Sequence, residues 1–495
     1  MKIYKYLALA AFVILAVAAV ILGSLNQDEG WYLYAAKLVS KGEMLYRDFF
    51  FTQGPVMPIV YSFFSSIWDN YGIIGARVFT VFLGLLSLLF ASHLAYRLAP
   101  EKEKNIAAIL VFILLGSNLY HVYYLAIPKT YALSSLFLVA GLYLFSFLDS
   151  KKSSIFVFFS GCALVLAAAT RITLVLVPIM LFLYLIINKE RRGALAFSFA
   201  LGCILMALLT YSPYLIDETA RQRFVLAHFY HASRGSFDLM LFIGSLSRIV
   251  RWYLPIWVLL GLSFAFPNSK NKSVLTVLLV SFVAVALVQF LAPFPYDDYQ
   301  VPIMSLIAIY AAVRISTVKF PIVLLTLGMT WALSFGSPLL ESFMTAGQDR
   351  FWVVRKDAPD VLTLRKAASE IEKLDPNGKM LLTQDLYLAI ESNREVPKGF
   401  EMGPFSYWGE KENTPGLNDK KILEYLRASP CKVAALSGYT FAITAPTCVE
   451  TPIAKQIRFF EELKKNYSLV SKMPNFGQNS TTLMILLRKD DNGKE

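Results

Sequence analysis

The N-terminal segment, residues 6–41, reads YLALAAFVILAVAAVILGSLNQDEGWYLYAAKLVSK and predicts a membrane protein. Its apolar run matches the roughly 20 residues that a helix needs to cross a hydrocarbon core of about 30 Å. The run exceeds the roughly 7–15 apolar residues of a signal peptide, so we expect an uncleaved span. Two carboxylates, Asp28 and Glu29, follow it. The helical spacing of apolar residues in 28–41 then predicts an amphipathic helix lying at the membrane interface.

Similar apolar runs continue to about position 340. Of 495 residues, 56% are hydrophobic and 17% charged, whereas an average soluble chain has about 25% charged residues. Residues 341–495 instead mix charge, Pro and Gly with short apolar runs. We therefore predict a membrane domain at 1–340 and a soluble domain at 341–495.

Eleven membrane spans are predicted from the apolar runs, near 5–25, 76–98, 105–121, 131–149, 153–170, 172–188, 194–216, 241–266, 273–292, 301–315 and 320–340. Alternate loops are short and basic, and the others are longer and carry acids and aromatic residues. Because cytoplasmic loops hold the excess of Lys and Arg, the N-terminus is predicted to be cytoplasmic and the soluble domain external to the cell (plasma or inner) membrane. These loops account for much of the net charge of +12, so nucleic acid is not indicated as a partner.

Three shorter features complete the fold prediction. Residues 54–68 are too short and too proline-rich to span, and they predict a second interfacial helix. In the tail, apolar runs at 379–384, 432–438 and 481–487 predict strands, and helical periodicity lies at Asp360–Lys373, Asn418–Ala428 and Ile453–Tyr467. This alternation predicts a small α/β domain. Cys431 and Cys448 could form a disulfide if the tail is external, or remain two reduced thiols.

Asp28 and Glu29 are the candidate catalytic residues. A carboxylate beside a membrane span is costly unless it is solvated or engaged, so simple interfacial polarity is one interpretation. The other is that one carboxylate is a general base acting on an acceptor hydroxyl, while its neighbour orients it or binds a divalent cation. Asp28 is therefore also a candidate metal ligand. No phosphate-binding glycine loop or zinc motif is present, and no other cofactor is indicated.

Polar residues at the predicted external ends of the spans are candidates for substrate binding: Arg47, Asp48, Gln53, Lys129, Tyr131, Arg171, Asp297, Asp298 and Tyr299. Cations are expected wherever a departing phosphate gains negative charge. Arg171 is a lone charge between two apolar stretches and should face a protein cavity, unless it extends to the headgroups. A local ion pair between Arg47 and Asp48 is the alternative for those two residues. Asp297 and Asp298 could instead be a polar cap on helix ends.

Six segments, taken in order, resemble the GT-C glycosyltransferases related to protein O-mannosyltransferases and lipid A aminoarabinose transferases: DEGWYLYAA (28–36), GEMLYRDFFFTQGPVMPIVYSFF (42–64), YGIIGARVFTVFLGLL (71–86), IPKTYALSSLFLVAGLYLF (127–145), AAATRITLVLVP (167–178) and DDYQVPIMSLIAIYAA (297–312). The resemblance implies that Asp28 is the catalytic base or its metal-linked equivalent, with Glu29 beside it. FTQGP (51–55) departs from the aminoarabinose-transferase pattern, which counts against a lipid A acceptor.

The function that this resemblance implies is an inverting transfer of a sugar from a polyprenyl-phosphate donor to a hydroxyl of a lipid, glycan or protein at the external membrane face. A transporter or flippase for lipid-linked saccharides is the alternative from another class, and it would predict two related halves, which the sequence does not show. A ligase joining pre-assembled glycans is the third hypothesis.

Overall fold

The computed structural model describes residues 2–187, 192–229, 236–266, 272–293, 295–318, 323, 328, 358–407, 417–438, 453–478 and 480–489. The predicted span at 320–340 and the predicted domain boundary lie largely or wholly outside these residues, as does Cys448.

The N-terminal part is built from helices: α1 (Lys2–Leu22), α2 (Gln27–Ser40), α3 (Val56–Ser62), α4 (Ser65–Leu98), α5 (Lys104–Gly116), α6 (Leu119–Ala126), α7 (Thr130–Phe145), α8 (Ser153–Thr170), α9 (Leu176–Ile187), α10 (Arg192–Ile216), α11 (Glu218–Phe229), α12 (Leu239–Trp252), α13 (Leu254–Ser263), α14 (Lys272–Phe290) and α15 (Met304–Ile315). In the described residues, five helices are long and apolar enough to cross a membrane, or up to seven if each bent pair counts as one span. Several of the eleven predicted runs are shorter helices, so the predicted span count is not confirmed.

Two predicted spans are broken by a sharp bend. Helices α5 and α6 meet at 73°, and α12 and α13 meet at 81°. The Asn118 side chain accepts a hydrogen bond from the main-chain N–H of His121, which caps a new helix there. Pro255 lies in the first turn of α13, where its missing N–H costs nothing, whereas a continuous helix would lose a hydrogen bond at that point.

Helix α4 begins earlier than the predicted span at 76–98. It absorbs the end of the segment 54–68, which therefore forms α3 and the first turn of α4 rather than one interfacial helix. Gly72 interrupts the helical geometry with a φ of 61°. A Cβ at Gly72 would lie 2.1 Å from an oxygen of the Glu391 carboxylate, and the same oxygen accepts from the Ile73 N–H at 2.7 Å. Glycine thus allows the C-terminal domain to cap the longer part of α4.

Helix α2 forms where the apolar spacing predicts it, but it lacks the exposed polar face of an amphipathic helix. Eleven of its 14 residues are buried, including Lys37 and Gln27. The C-terminal domain covers the face that would otherwise meet solvent: a Cβ at Gly30 would lie 2.3 Å from the main-chain N of Tyr387. The helix is therefore enclosed between the two parts of the chain.

The C-terminal part contains α16 (Asp360–Leu374), α17 (Leu386–Glu391), α18 (Asp419–Ala428) and α19 (Ile453–Asn466), with strands β1 (Val433–Leu436), β2 (Tyr467–Phe476) and β3 (Thr481–Arg488). The strands form one antiparallel sheet in the order β1–β3–β2. The three predicted helices and two of the predicted strands, at 432–438 and 481–487, are confirmed.

Two features of this sheet differ from the prediction. Residues 379–384 make only isolated bridges, from Met380 to Glu395 and from Leu382 to Ala434. Strand β2 was not predicted, because two register shifts interrupt its pairing with β3 and its buried residues do not alternate. A strand without period-two burial gives no alternating sequence signal.

Candidate active site

The first turn of α2 presents Asp28 and Glu29. The Asn26 side chain accepts from the Asp28 N–H at 3.0 Å, and the Asn26 N–H donates to Glu29 Oε1 at 2.9 Å, which forms a reciprocal cap. Two acids in a first helical turn also interact favourably with the helix dipole. Consecutive helical residues point about 100° apart, so the two carboxylates enter different surroundings.

Glu29 is buried in an ion pair. Arg77 Nε donates to Glu29 Oε2 at 2.8 Å and Arg77 Nη2 donates to Oε1 at 2.7 Å, and both side chains are fully shielded from solvent. The guanidinium also donates to the carbonyls of Val20, Gly23 and Ser24, each at 3.0 Å. Arg77 therefore joins the end of α1 to the start of α2, and Glu29 is held away from any approaching substrate.

Asp28 faces a second group of charges. Its Oδ2 lies 2.8 Å from Lys129 Nζ, and its Oδ1 accepts from the indole N–H of Trp31 at 3.2 Å. Lys129 Nζ also donates to Asp298 Oδ2 at 3.1 Å, and the Tyr131 hydroxyl donates to the same oxygen at 2.7 Å. The Asp28 side chain is 29% exposed, whereas those of Lys129 and Asp298 are 5% and 9% exposed. Asp28 is thus the carboxylate of this cluster that solvent can reach.

Arg171 lies against the same cluster. Its guanidinium carbon is 4.8 Å from the centre of the Tyr131 ring and 4.4 Å from the centre of the Tyr299 ring. Nη1 donates to the Thr130 hydroxyl at 3.3 Å, and Nε is buried without a hydrogen-bond partner among the described residues. The prediction that this lone charge faces the protein interior agrees with its 7% exposure. A buried guanidinium that stacks on two rings and pairs with no described carboxylate retains its affinity for an anion.

Asp297 borders the cluster through different partners. It accepts from the Tyr120 hydroxyl at 2.6 Å and from Arg248 Nε at 3.1 Å. Arg248 belongs to α12, a helix whose apolar side chains are largely exposed, as expected for a helix in contact with lipid. Asp297 therefore connects the site to a helix whose apolar side chains are largely exposed.

The remaining predicted residues are held by other contacts. Arg47 and Asp48 pair with one another, with N–O distances of 2.9 Å, as in the alternative interpretation. Arg47 holds the pKa of the Asp48 carboxyl below its usual range. The main-chain carbonyl of Gln53 accepts from the Tyr46 hydroxyl. The structure thus brings together Asp28, Lys129, Tyr131, Arg171, Asp298 and Tyr299, with Asp297 beside them.

Contacts from the C-terminal domain to α2 were not predicted. Gln27 Nε2 donates to Asp385 Oδ1 at 2.9 Å, and the Gln27 N–H donates to Gln478 Oε1 at 2.8 Å. Asp360 Oδ2 accepts from the Leu25 N–H at 2.8 Å. Burial raises the pKa of the Asp385 carboxyl, although hydrogen bonds from Gln27, Ser437 and Tyr387 oppose this rise. The partners across this contact are separated by 335 residues or more in sequence, so no local sequence pattern predicts the contact.

The metal prediction for Asp28 finds no matching set of ligands. In the part of the chain that the structure describes, no three His, Cys, Asp or Glu side chains come together in a way that could hold a metal ion. The Lys129 ammonium occupies the position between Asp28 and Asp298 that a bridging cation would need. The described residues thus supply a cation of the chain itself at this point, and the role of Asp28 as a metal ligand stays a prediction.

Comparison with known proteins agrees with this fold. A family model described as dolichyl-phosphate-mannose-protein mannosyltransferase matches residues 52–216, one third of the chain. The structure of ArnT from Cupriavidus metallidurans bound to undecaprenyl phosphate is similar with a TM-score of 0.62 at 13% identity, covering 100% of this chain and 99% of that chain. The apo form of ArnT gives a TM-score of 0.63 at 13% identity, covering 98% of each chain.

A weaker likeness relates the chain to an archaeal oligosaccharyltransferase, AglB from Archaeoglobus fulgidus. The TM-score is 0.49 at 12% identity, covering 88% of this chain and 69% of that chain. Among curated proteins, none matches the chain at a significant level.

The chain has a GT-C-like fold of apolar helices, similar to that of ArnT, with a small sheet in its C-terminal part. Within that class, the chain resembles ArnT and the protein mannosyltransferases, which confirms the resemblance inferred from its sequence segments.

Proposed function

We propose that this chain is an inverting glycosyltransferase that moves a sugar from a polyprenyl-phosphate donor to a hydroxyl of a lipid, glycan or protein. One observation carries the proposal: the same cluster contains a carboxylate that can act as a base and a cation that can bind an anion. The carboxylate is the solvent-accessible Asp28, and the cation is the buried Arg171, which forms no salt bridge with a described carboxylate. A base and an anion-binding group are what this transfer requires on its two sides.

The chemistry follows from these positions. Asp28 removes the proton from the acceptor hydroxyl, and the acceptor oxygen forms a bond to the anomeric carbon of the donor sugar. The bond from that carbon to the phosphate oxygen breaks, and the electron pair leaves with the polyprenyl phosphate. Direct displacement inverts the anomeric carbon and needs a single base, without a second carboxylate as nucleophile.

Arg171 and Lys129 stabilise the leaving group. Both are almost fully buried, and a charge acts more strongly on a phosphate where water is largely excluded. Arg171 offers a planar donor edge, which suits phosphate oxygens, and its stacking on Tyr131 and Tyr299 fixes the plane. Lys129 also orients Asp28 by its 2.8 Å contact, so we propose that the ammonium takes the place of a metal ion in this site.

For Glu29 we propose a role other than the predicted catalytic one, because of the residues that surround it. Its carboxylate contacts Arg77 and the Asn26 N–H rather than the Asp28 cluster. We propose that it is a positioning residue, which fixes the first turn of α2 so that Asp28 points at Lys129.

The proteins to which this chain is similar support the donor class. ArnT was crystallised with undecaprenyl phosphate, and the matching family model is described by a dolichyl-phosphate donor; both are polyprenyl phosphates. The basic loops favour a cytoplasmic N-terminus, so we propose that Asp28 and the C-terminal domain lie on the external face. A lipid, glycan or protein hydroxyl would then reach Asp28 from that side.

The test is donor turnover by the purified protein in liposomes, with polyprenyl-phosphate sugars of several kinds. Asp28→Asn keeps the size of the side chain and removes the base, so we expect transfer to fall at least about a hundredfold. Asp69→Asn, an exposed exchange on α4, is the matched control and should keep wild-type turnover. Equal turnover by Asp28→Asn and wild type would refute the assignment. Lipid movement with an intact glycosidic bond would indicate a flippase instead.

A further inference from the structure

A cavity with a volume of about 500 Å³ is lined by residues of both the N-terminal and the C-terminal parts of the chain. None of its described lining residues belongs to the Asp28 cluster. Its described charged and aromatic lining residues are Asp48, Phe49, Arg223, Lys398, Glu401, Lys421, Glu424 and Tyr425. A cavity of this size can hold a small-molecule ligand or one to a few units of a larger one.

The charges of the described residues around this cavity are balanced. Three described bases face three described acids: Arg223, Lys398 and Lys421 against Asp48, Glu401 and Glu424. A site for a phosphate or a carboxylate would need an excess of cations. Equal numbers of cationic and anionic side chains suit a neutral ligand with many hydroxyl groups, because each hydroxyl can accept from a base and donate to an acid.

The wall formed by residues 398–401 is held in a defined shape. The Gly399 N–H, at a φ of +100°, donates to both Glu401 oxygens at 2.8 Å. The Tyr425 hydroxyl donates to the Lys398 carbonyl at 2.7 Å, and the Tyr425 ring meets the Phe400 ring edge-on at 5.5 Å. Burial raises the pKa of the Glu401 carboxyl. A fixed carboxyl beside a fixed aromatic ring offers hydrogen bonds and an apolar face together.

The cavity lies near the part of the chain that carries Asp28. Phe49 lines the cavity, and Phe51, two residues on, packs against Trp31 with 5.0 Å between ring centres. Two residues of extended chain cover at most about 7 Å. Trp31 in turn donates to Asp28 at 3.2 Å, so this packed aromatic cluster lies between the cavity and the proposed base.

We propose that this cavity binds a neutral saccharide that forms part of the acceptor. This assignment narrows the proposed acceptor from a lipid, glycan or protein to a molecule that carries a glycan. The word acceptor rests on the proposed function, whereas the binding of a saccharide does not. Saccharide binding itself requires no transfer, so the two can be tested apart.

The test uses the full-length protein in detergent on an array of immobilised neutral and acidic glycans. Wild type should bind a set of neutral glycans. Glu401→Gln, which keeps the side-chain size, and Tyr425→Ala should each weaken that binding about tenfold or more. Matched exchanges at exposed positions, Glu461→Gln and Tyr71→Ala, should leave it unchanged.

Three results would overturn the proposal: no neutral glycan bound by wild type, a preference for acidic glycans, or wild-type binding by Glu401→Gln. Gel filtration identifies a variant that fails to fold, and the isosteric Glu401→Gln then carries the test. Asp28→Asn separates the two hypotheses. Glycan binding retained with transfer lost supports both, whereas glycan binding retained with transfer intact refutes the role of Asp28 and leaves the cavity assignment standing.

Discussion

Replacing Lys129 with methionine tests the electrostatics of the proposed site most directly. Nζ lies 2.8 Å from Asp28 Oδ2 and 3.1 Å from Asp298 Oδ2, so these two oxygens are at most about 6 Å apart. Methionine has nearly the same length and no charge. The exchange therefore leaves two carboxylates facing one another without the cation that separates them.

The size of the effect follows from these distances. Two unit charges about 6 Å apart repel by roughly 3 kcal/mol at an effective dielectric constant of about 20. A loss of that size in stabilisation of the reactive arrangement corresponds to roughly a hundredfold in rate. Losing the ammonium beside the leaving phosphate lowers the rate further, so we expect Lys129→Met to reduce turnover by about a hundredfold to a thousandfold.

The assay is release of polyprenyl phosphate from the donor in liposomes, measured for Lys129→Met, Asp298→Asn and the double variant. Asp298→Asn removes one of the repelling charges. The double variant should therefore turn over about tenfold or more faster than Lys129→Met alone. In the wild-type background, Asp298→Asn should instead lower turnover. Lys102→Met, at an exposed position, is the matched control.

Additive effects would refute this reasoning. The comparison is between fold-changes in turnover relative to wild type. If the fold-change of the double variant equals the product of the two single fold-changes within about twofold, the two positions are not coupled. The Lys129 ammonium would then act on the phosphate alone, and the two carboxylates would not need it to lie side by side.

Three further predictions concern the structure around α2. Arg77→Met leaves the Glu29 carboxylate buried without its partner, so it should lower the free energy of unfolding by about 3–5 kcal/mol. This loss should appear as a lower melting temperature in detergent, and adding Glu29→Gln should recover part of it. An unchanged melting temperature would contradict the role of the pair. Gly30→Ala places a Cβ 2.3 Å from the Tyr387 N, so it should loosen the contact with the C-terminal domain and speed hydrogen exchange in residues 383–396; exchange at the wild-type rate would show that the contact adjusts without cost. Asp385 has a folded-state pKa raised above its ordinary value of 3.8, so its contribution to stability is present at low pH and is lost as pH rises through the folded pKa. Melting curves measured from about pH 4 to about pH 8 should show wild type losing stability relative to Asp385→Asn as pH rises, and parallel curves would refute this.

Much of the membrane fold could be predicted because its signals are local. The apolar run before Asp28 became α1, and the runs at 153–170 and 194–216 became α8 and α10 within two residues of the expected bounds. Long apolar helices need little beyond their own composition, because hydrocarbon excludes unpaired main-chain groups. The bent pairs escaped prediction because a bend at Asn118 or Pro255 leaves the hydropathy of the run unchanged.

The different surroundings of Asp28 and Glu29, and therefore their different proposed roles, could not be predicted. The two residues are adjacent in sequence and equally polar, and only the position of Arg77 on α4 and of Lys129 before α7 distinguishes them. The burial of α2 could not be predicted for a related reason. Its apolar spacing predicts an amphipathic helix, whereas residues of the C-terminal part contact its polar residues Gln27 and Lys37.

Composition and periodicity alone predicted that the chain crosses a membrane, that residues 341–495 differ in kind from the apolar part, and that the candidate base follows the first apolar helix directly. Only the tertiary structure decided which acid stays accessible, which cation stays without a described carboxylate partner, and that the C-terminal domain packs on α2. The physical reason is that hydropathy is a property of neighbouring residues, whereas an ion pair depends on groups that folding brings together from distant positions. Asp28 meets Lys129 and Asp298, and Gln27 meets Asp385, only after the intervening helices have packed.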